Sequence, residues 1–270
     1  MNQPQVQTAA PASARRGGFI GDFFLGVGCL LRGLGTYGRS PRLMLLGVIP
    51  ALLSFVVLAG ASVAMIFFVD DAARFMTPWA EGWAGGIRDT LRFVVTIAIA
   101  GVWIILSVLV FTALTLLIGQ PFYEAISKRV EDSLGGVADD IDVSFWRSLP
   151  RTVGESLRLL LLTAFSGVAI FAIGLIPVAG QIIAPILAAT LGGWVLALEL
   201  TSVPFERRGK RFRERRELLR SRRTMALGFG MATFICFLIP LGAVLVMPAA
   251  VAGATVMSRR LFGLPVELHR

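Results

Sequence analysis

Leu175-Ile176-Pro177-Val178-Ala179-Gly180-Gln181-Ile182-Ile183-Ala184-Pro185 decides how this chain must fold, and Leu238-Ile239-Pro240, running on to Pro248, repeats it. Each copy reads Leu-Ile-Pro, seven residues, then Pro, in the middle of a long apolar run. Proline lacks the amide donor and clashes with the carbonyl four residues back, so both runs are predicted to kink or break there. Gly180 and Gly242 stand beside the breaks and make a tight reversal accessible. Non-helical backbone at membrane depth persists only where protein or water satisfies its polar groups. Both copies therefore read as turns of membrane-embedded helical hairpins around a polar feature, such as a permeation path. Pro177, Gly180, Gln181, Pro185, Pro240 and Pro248 are its candidate turn or lining residues.

The surrounding chain has the composition such hairpins need. It is 56% hydrophobic and 16% charged, with a mean hydropathy of +0.76, which excludes an ordinary soluble domain. Apolar runs exceed the roughly 20 residues that cross a bilayer core. Cys29 and Cys236 lie far apart in apolar settings, so no disulfide framework is indicated. The single histidine is His269. With no His/Cys cluster and no nucleophile–base pair, neither a metal, a cofactor nor an enzymatic activity is expected. Residues 1–17 read as a disordered tail without the basic start and apolar core of a cleaved signal peptide. Residues 18–258 read as one membrane domain, and 259–270 as a C-terminal tail.

From the N-terminal side, Phe19, Phe23, Val27, Leu30 and Leu34 recur at helical spacing, the pattern of an interfacial helix; a glycine-rich loop is the alternative. Apolar runs at 43–69 and 93–118 are predicted to span the membrane, joined by a loop whose Trp79 and Trp83 suit an interface. Gln120-Pro121 is predicted to open a separate amphipathic helix. Phe122, Ile126, Val130 and Leu134 form its apolar face and Lys128, Arg129, Glu131 and Asp132 its wet face, and Gly135-Gly136 stops it. Residues 137–150 read as an acidic linker; Asp139, Asp140 and Asp142 lack the spacing and terminal Glu of a calcium loop. The run 158–200 breaks at Pro177, leaving either two short crossings or a hairpin dipping partway in. The run 225–257 breaks at Pro240 into arms too short to span separately, so a re-entrant hairpin is expected. The fold class is thus an all-α integral membrane protein with two long transmembrane helices and two proline-broken, partly inserted hairpins, plus interfacial helices.

Residues 206–223 hold ten Lys/Arg and three Glu. Apolar segments flank this block on both sides, so the positive-inside rule and contact with anionic lipids explain it better than nucleic acid. Lys/Arg-rich and Lys/Arg-poor loops alternate along the chain, which places the N-terminus, 119–158, 206–223 and the C-terminus in the cytoplasm.

Two places could carry chemistry. Arg39, Ser40 and Arg42 surround a helix start, with Ser40 suited to the cap and Pro41 to the first turn. Unpaired amides and the helix dipole favour an anion there, and guanidinium forks match sulfate or phosphate; anchoring at lipid headgroups is the alternative. Glu199 is the acid inside an apolar run, a candidate for a pathway or for a local pair with Arg207 or Arg208.

Ile176-Pro177-Val178-Ala179-Gly180-Gln181, Val203-Pro204-Phe205, Ile239-Pro240-Leu241 and Met247 through Thr255 resemble the CysZ sulfate permeases, a bacterial family sharing a domain with the etoposide-induced membrane proteins; Pro121-Phe122 fits the same pattern. The resemblance covers roughly residues 19–258. It implies inner-membrane sulfate entry for cysteine synthesis without ATP hydrolysis, and a homo-oligomer. It also implies sulfate binding at the first-span entrance, where the family's Gly-hydrophobic-Arg motif reads Ser40-Pro41-Arg42. A membrane scaffold that binds lipids or partner proteins without transport is the competing reading.

Overall fold

A computed structural model describes residues 18–137, 161, 163–239 and 241–266. The N-terminal tail, most of the acidic linker, Pro240 and His269 lie outside the described residues. Regular structure among those described is helical. In order it comprises α1 (Phe19–Arg39), α2 (Pro41–Met76), a 3-10 turn at Pro78–Ala80 and α3 (Gly85–Ser133). After α4 (Thr163–Gly174) come α5 (Ala179–Leu200), α6 (Ser202–Glu206), α7 (Phe212–Ser221), α8 (Arg223–Leu238) and α9 (Gly242–Leu261).

α2 and α3 form a long antiparallel hairpin. With 36 and 49 residues they extend about 54 and 74 Å at 1.5 Å per residue, well beyond a hydrocarbon core of about 30 Å. Their middle stretches bury little against the protein, leaving Val56, Phe67, Phe93, Ile104 and Ile105 open. Such a continuous apolar surface is stable only against lipid or another apolar surface. One polar contact joins the pair: Trp103 Nε1 donates to Ser62 Oγ at 3.2 Å. Five helices, α1, α2, α3, α5 and α9, are long and apolar enough to cross a membrane.

The interior is built around α9. Nearly every residue from Pro248 to Arg259 is buried, with α1, α8 and α3 packed around it. Small residues let these helices approach to backbone contact. A Cβ on Gly33 of α1 would lie 2.3 Å from Ala249 O and 2.4 Å from Gly253 N of α9. One on Gly193 of α5 would lie 2.6 Å from Met231 N of α8. Membrane helices gain no hydrophobic drive from one another, so this close van der Waals packing is what holds them.

Three local outcomes differ from sequence expectation. The first concerns the proline turn. Gly180 is not the residue with reversed backbone; Val178 is, at φ 64° and ψ −63°, with Ala179 N donating to Pro177 O at 2.7 Å. This is a γ-turn, strained for a β-branched residue. In the second repeat the positive φ falls at the equivalent position, Leu241 at 62°, but in the left-handed helical region, with Gly242 N donating to Ile239 O at 2.7 Å. The glycines serve a different purpose. A Cβ on Gly180 would meet Ile173 O at 2.1 Å, and one on Gly242 would meet Cys236 O at 2.1 Å. They let each returning helix pass over the carbonyl ladder of the one before.

The second difference is α3, which runs through Gln120-Pro121 without starting a new helix. Proline in a helix interior costs about 3 kcal/mol. Here Thr115 and Gly119 before it and Tyr123 and Ile126 after it are all buried, so tertiary packing keeps the helix continuous across the missing hydrogen bond. Gly135 and Gly136, at φ 109° and 72°, then end it. The third is Glu131, expected on the wet face and found fully buried.

Candidate functional site

The α1–α2 junction is a sharp corner. Arg39 ends α1, Ser40 occupies the N-cap of α2 in an extended conformation, and Pro41 takes the first helical position. The Ser40 side chain makes no capping bond, Pro41 has no amide hydrogen and Met44 N donates to Ser40 O, so the amides left open are those of Arg42 and Leu43. Arg39 and Arg42 are exposed and form no ion pair or hydrogen bond with the described residues. Tyr37 closes the inner side of the corner, donating to Met44 O at 3.3 Å. The corner presents two free guanidinium groups and unpaired amides, a set suited to an anion.

Register places this corner along α3. From the Ser62–Trp103 pair, stepping 20 residues back along α2 and 20 forward along α3 sets Arg42 level with Tyr123. About 12 Å farther along α3, eight residues at 1.5 Å each, lies Glu131.

Glu131 is the centre of a buried charge cluster that sequence reasoning missed. Arg208, in the turn after α6, reaches it with both arms of its fork: Nη2 to Oε1 at 2.5 Å and Nη1 to Oε2 at 3.2 Å. Arg259 of α9 adds Nη1 to Oε1 at 2.6 Å. Its Nη1 also donates to Gly136 O at 3.0 Å, its Nη2 to Leu134 O, and its Nε to Pro265 O at 2.9 Å. Arg259 thus satisfies carbonyls left open where α3 ends and sits at the negative end of its dipole. The Arg208 guanidinium lies 5.0 Å from the Phe262 ring centroid and also donates to Pro204 O at 2.8 Å. Two arginines share one carboxylate, so the cluster carries a positive charge in the interior. A few ångströms outward, Arg207 faces Asp132 at 3.9 Å.

A signal for Glu131 existed. Thr115, Gly119, Tyr123, Ser127 and Glu131 stand four apart, a row that follows the ridge of a helix. Treating Gln120-Pro121 as a helix start cut the row in two. Ser127 on this row shares a hydrogen bond of 2.9 Å with Thr255 of α9.

The other candidate residues are dispersed. Pro177 lies in the α4–α5 turn, Gly180 is buried under it, and Gln181 and Pro185 are exposed on the first turns of α5. Pro240 lies outside the described residues. Pro248 is buried in α9, against Gly47 of α2. Glu199 is exposed and pairs with neither Arg207 nor Arg208, because those arginines turn toward Asp132 and Glu131. No group of three or more His, Cys, Asp or Glu that could hold a metal occurs among the described residues. On the basic segment, the Arg211 amide donates to the Glu214 carboxylate at 2.9 Å and Lys210 Nζ adds a bond of 3.2 Å. These hold Glu214 below the usual carboxylate range, the backbone bond contributing most, and start α7.

Five helices long and apolar enough to cross a membrane, packed around a mostly apolar core with one buried charge cluster, define a multi-pass membrane protein. The family model described as Sulfate transporter CysZ/Etoposide-induced protein 2.4 matches residues 29–248, and the chain belongs to that family. It is similar to the Sulfate transporter CysZ of Vibrio parahaemolyticus, with 28% identity over 86% of this chain and 93% of that protein. The Sulfate transporter CysZ of Vibrio atlanticus is 29% identical over 91% and 93% respectively. That of Pseudomonas fluorescens is 35% identical over 58% of this chain and 65% of that protein.

Proposed function

We propose that this protein is a sulfate permease of the bacterial inner membrane, channel-like and without ATP hydrolysis, supplying sulfur assimilation. The observation that carries the reading is the near full-length match to relatives named sulfate transporters. The chemistry of the α1–α2 corner agrees with it. Arg42 and Arg39, with the open amides of α2, are the proposed capture site; Ser40 shapes the corner through its backbone. The two proline turns, with Gly180, Gln181, Pro185, Pro240 and Pro248, belong to hairpins proposed to insert partway, and Glu199 to their rim. We place the N-terminus and the 206–223 segment in the cytoplasm, where Arg213, Arg216 and Arg220, exposed along one side of α7, meet anionic lipid headgroups. Homo-oligomeric assembly belongs to the same proposal.

Purified protein in liposomes, assayed with radiolabelled sulfate, tests the function. Uptake above protein-free vesicles, saturable and competed by unlabelled sulfate, is expected. No uptake under any gradient would overturn the transport reading and leave a lipid-binding scaffold.

A further inference from the structure

Six of the buried hydroxyl groups return to their own backbone. Ser54, Thr77, Thr201, Thr233, Thr255 and Ser258 each donate to the carbonyl four residues back, at 2.7–2.9 Å. Thr115 does not. Its side chain is 1% exposed and its hydroxyl has no partner. Two steps along the same row of α3, Tyr123 is 3% exposed and its hydroxyl is also unpartnered. Ser107, two steps the other way, has a third buried and unpartnered hydroxyl.

Thr115 and Tyr123 serve one locality. Gly119 lies between them, and a Cβ there would fall 2.5 Å from Tyr123 Cζ and 2.6 Å from its Oη. The phenol therefore lies back over Gly119 and carries its hydroxyl toward Thr115. Tyr37, near the end of α1, lies on Gly47 of α2, whose built Cβ would be 2.3 Å from Tyr37 Oη. By register Tyr123 is also level with Arg42. A buried hydroxyl without a partner is unfavourable, and phenylalanine or valine would fill the same space without that cost. Farther down the row the polar groups are satisfied: Ser127 by Thr255, and Glu131 by the two arginines.

We propose that the hydroxyls of Thr115 and Tyr123 form an internal station for a small tetrahedral oxyanion, one step inward from the Arg42 corner. The inference rests on the permease reading above. Hydroxyl donors suit a station of this kind because they supply hydrogen bonds without a full positive charge, so the anion is stabilised but not trapped. Both side chains are buried, at 1% and 3% exposure, so the station is a site that opens as the anion advances.

Tyr123→Phe, Thr115→Val and the double variant test it in the same liposomes, with thermal stability measured in parallel. Loss of a hydrogen bond to an anion corresponds to roughly tenfold per bond. The double variant is therefore expected to lower the maximal sulfate flux by about tenfold or more, with a smaller change in the half-saturating concentration. Melting temperatures should match or exceed wild type, because an unsatisfied hydroxyl has been removed. Equal flux in wild type and double variant overturns the station and leaves the permease intact. A fall in flux that tracks a fall in melting temperature also overturns it, since the hydroxyls would then be structural. Wild type that carries no sulfate removes both readings together.

Discussion

At the scale of single residues, the capture corner and the buried cluster make opposite demands of arginine. Arg42 is exposed and unpaired, so its guanidinium is available to a ligand at little reorganisation cost. Replacing it with alanine removes charge-assisted bonds worth about 1.5–3 kcal/mol each. Sulfate affinity measured by calorimetric titration should drop roughly tenfold or more, and Arg42→Lys should recover only part, because an ammonium cannot make the two-pronged pair. Equal affinity in wild type and Arg42→Ala would make the residue a membrane anchor. Glu131 is the reverse case. Its removal leaves Arg208 and Arg259 with their carbonyl partners but no counter-charge, a change that costs about 3–5 kcal/mol for buried pairs. Asp132, one residue on and half-exposed, faces Arg207 at 3.9 Å, a contact in the range of about 0–1 kcal/mol. Glu131→Ala should thus lower the melting temperature sharply and Asp132→Ala hardly at all. Comparable shifts in a thermal-unfolding assay would contradict the role assigned to the cluster.

At the scale of elements, the proline turns show what a sequence pattern reveals and what it hides. Proline spacing and glycine were enough to locate the α4–α5 and α8–α9 turns, because a missing amide beside a small residue weakens the helix at that point. The division of labour inside the turn was hidden, because it depends on where the returning helix crosses its partner. Val178 bears the positive φ and Gly180 the close approach. Strain of this kind costs about 1–3 kcal/mol, so Val178→Gly should stabilise the protein, by about 1 kcal/mol after the added flexibility of the unfolded chain is subtracted. Gly180→Ala should destabilise it, since its methyl would meet the Ile173 carbonyl. Chemical-denaturation or heat-inactivation midpoints of the two variants should move in opposite directions. Movement in the same direction would reverse the assignment. Pro121 teaches the complementary lesson: a breaker predicted from local chemistry was overridden by packing on both sides of it.

For the whole molecule, charge alternation makes a topological prediction. Single cysteines at Ser133 and Ser221, in a background lacking Cys29 and Cys236, should react with a membrane-impermeant reagent from the cytoplasmic side only. One at Glu81 should react from the opposite side. External labelling at Ser221 would invert the orientation, and labelling of all three from both sides would mean that both orientations are inserted. Helix content and the long α2–α3 hairpin were legible from hydropathy alone, since lipid acts on every residue of a span in the same way. The basic corner at Arg39 and Arg42 was legible because it is local. The Glu131 cluster was not: its members come from α3, the α6–α7 turn and α9, and only tertiary contact distinguishes them from ordinary charges at helix exits. Arg259 looked like the start of a tail and is 2% exposed.

The burial of α9 has a further consequence for synthesis. α1 leaves the ribosome well before its packing partners α8 and α9, which lie about 200 residues later. Until they arrive, the glycine face of α1 has nothing to close against, and Glu131 at the end of α3 waits for both of its arginines. The nascent protein can insert early but cannot mature until α8 and α9 have been made. A quality-control protease would therefore find its most vulnerable substrate in chains stalled before α8.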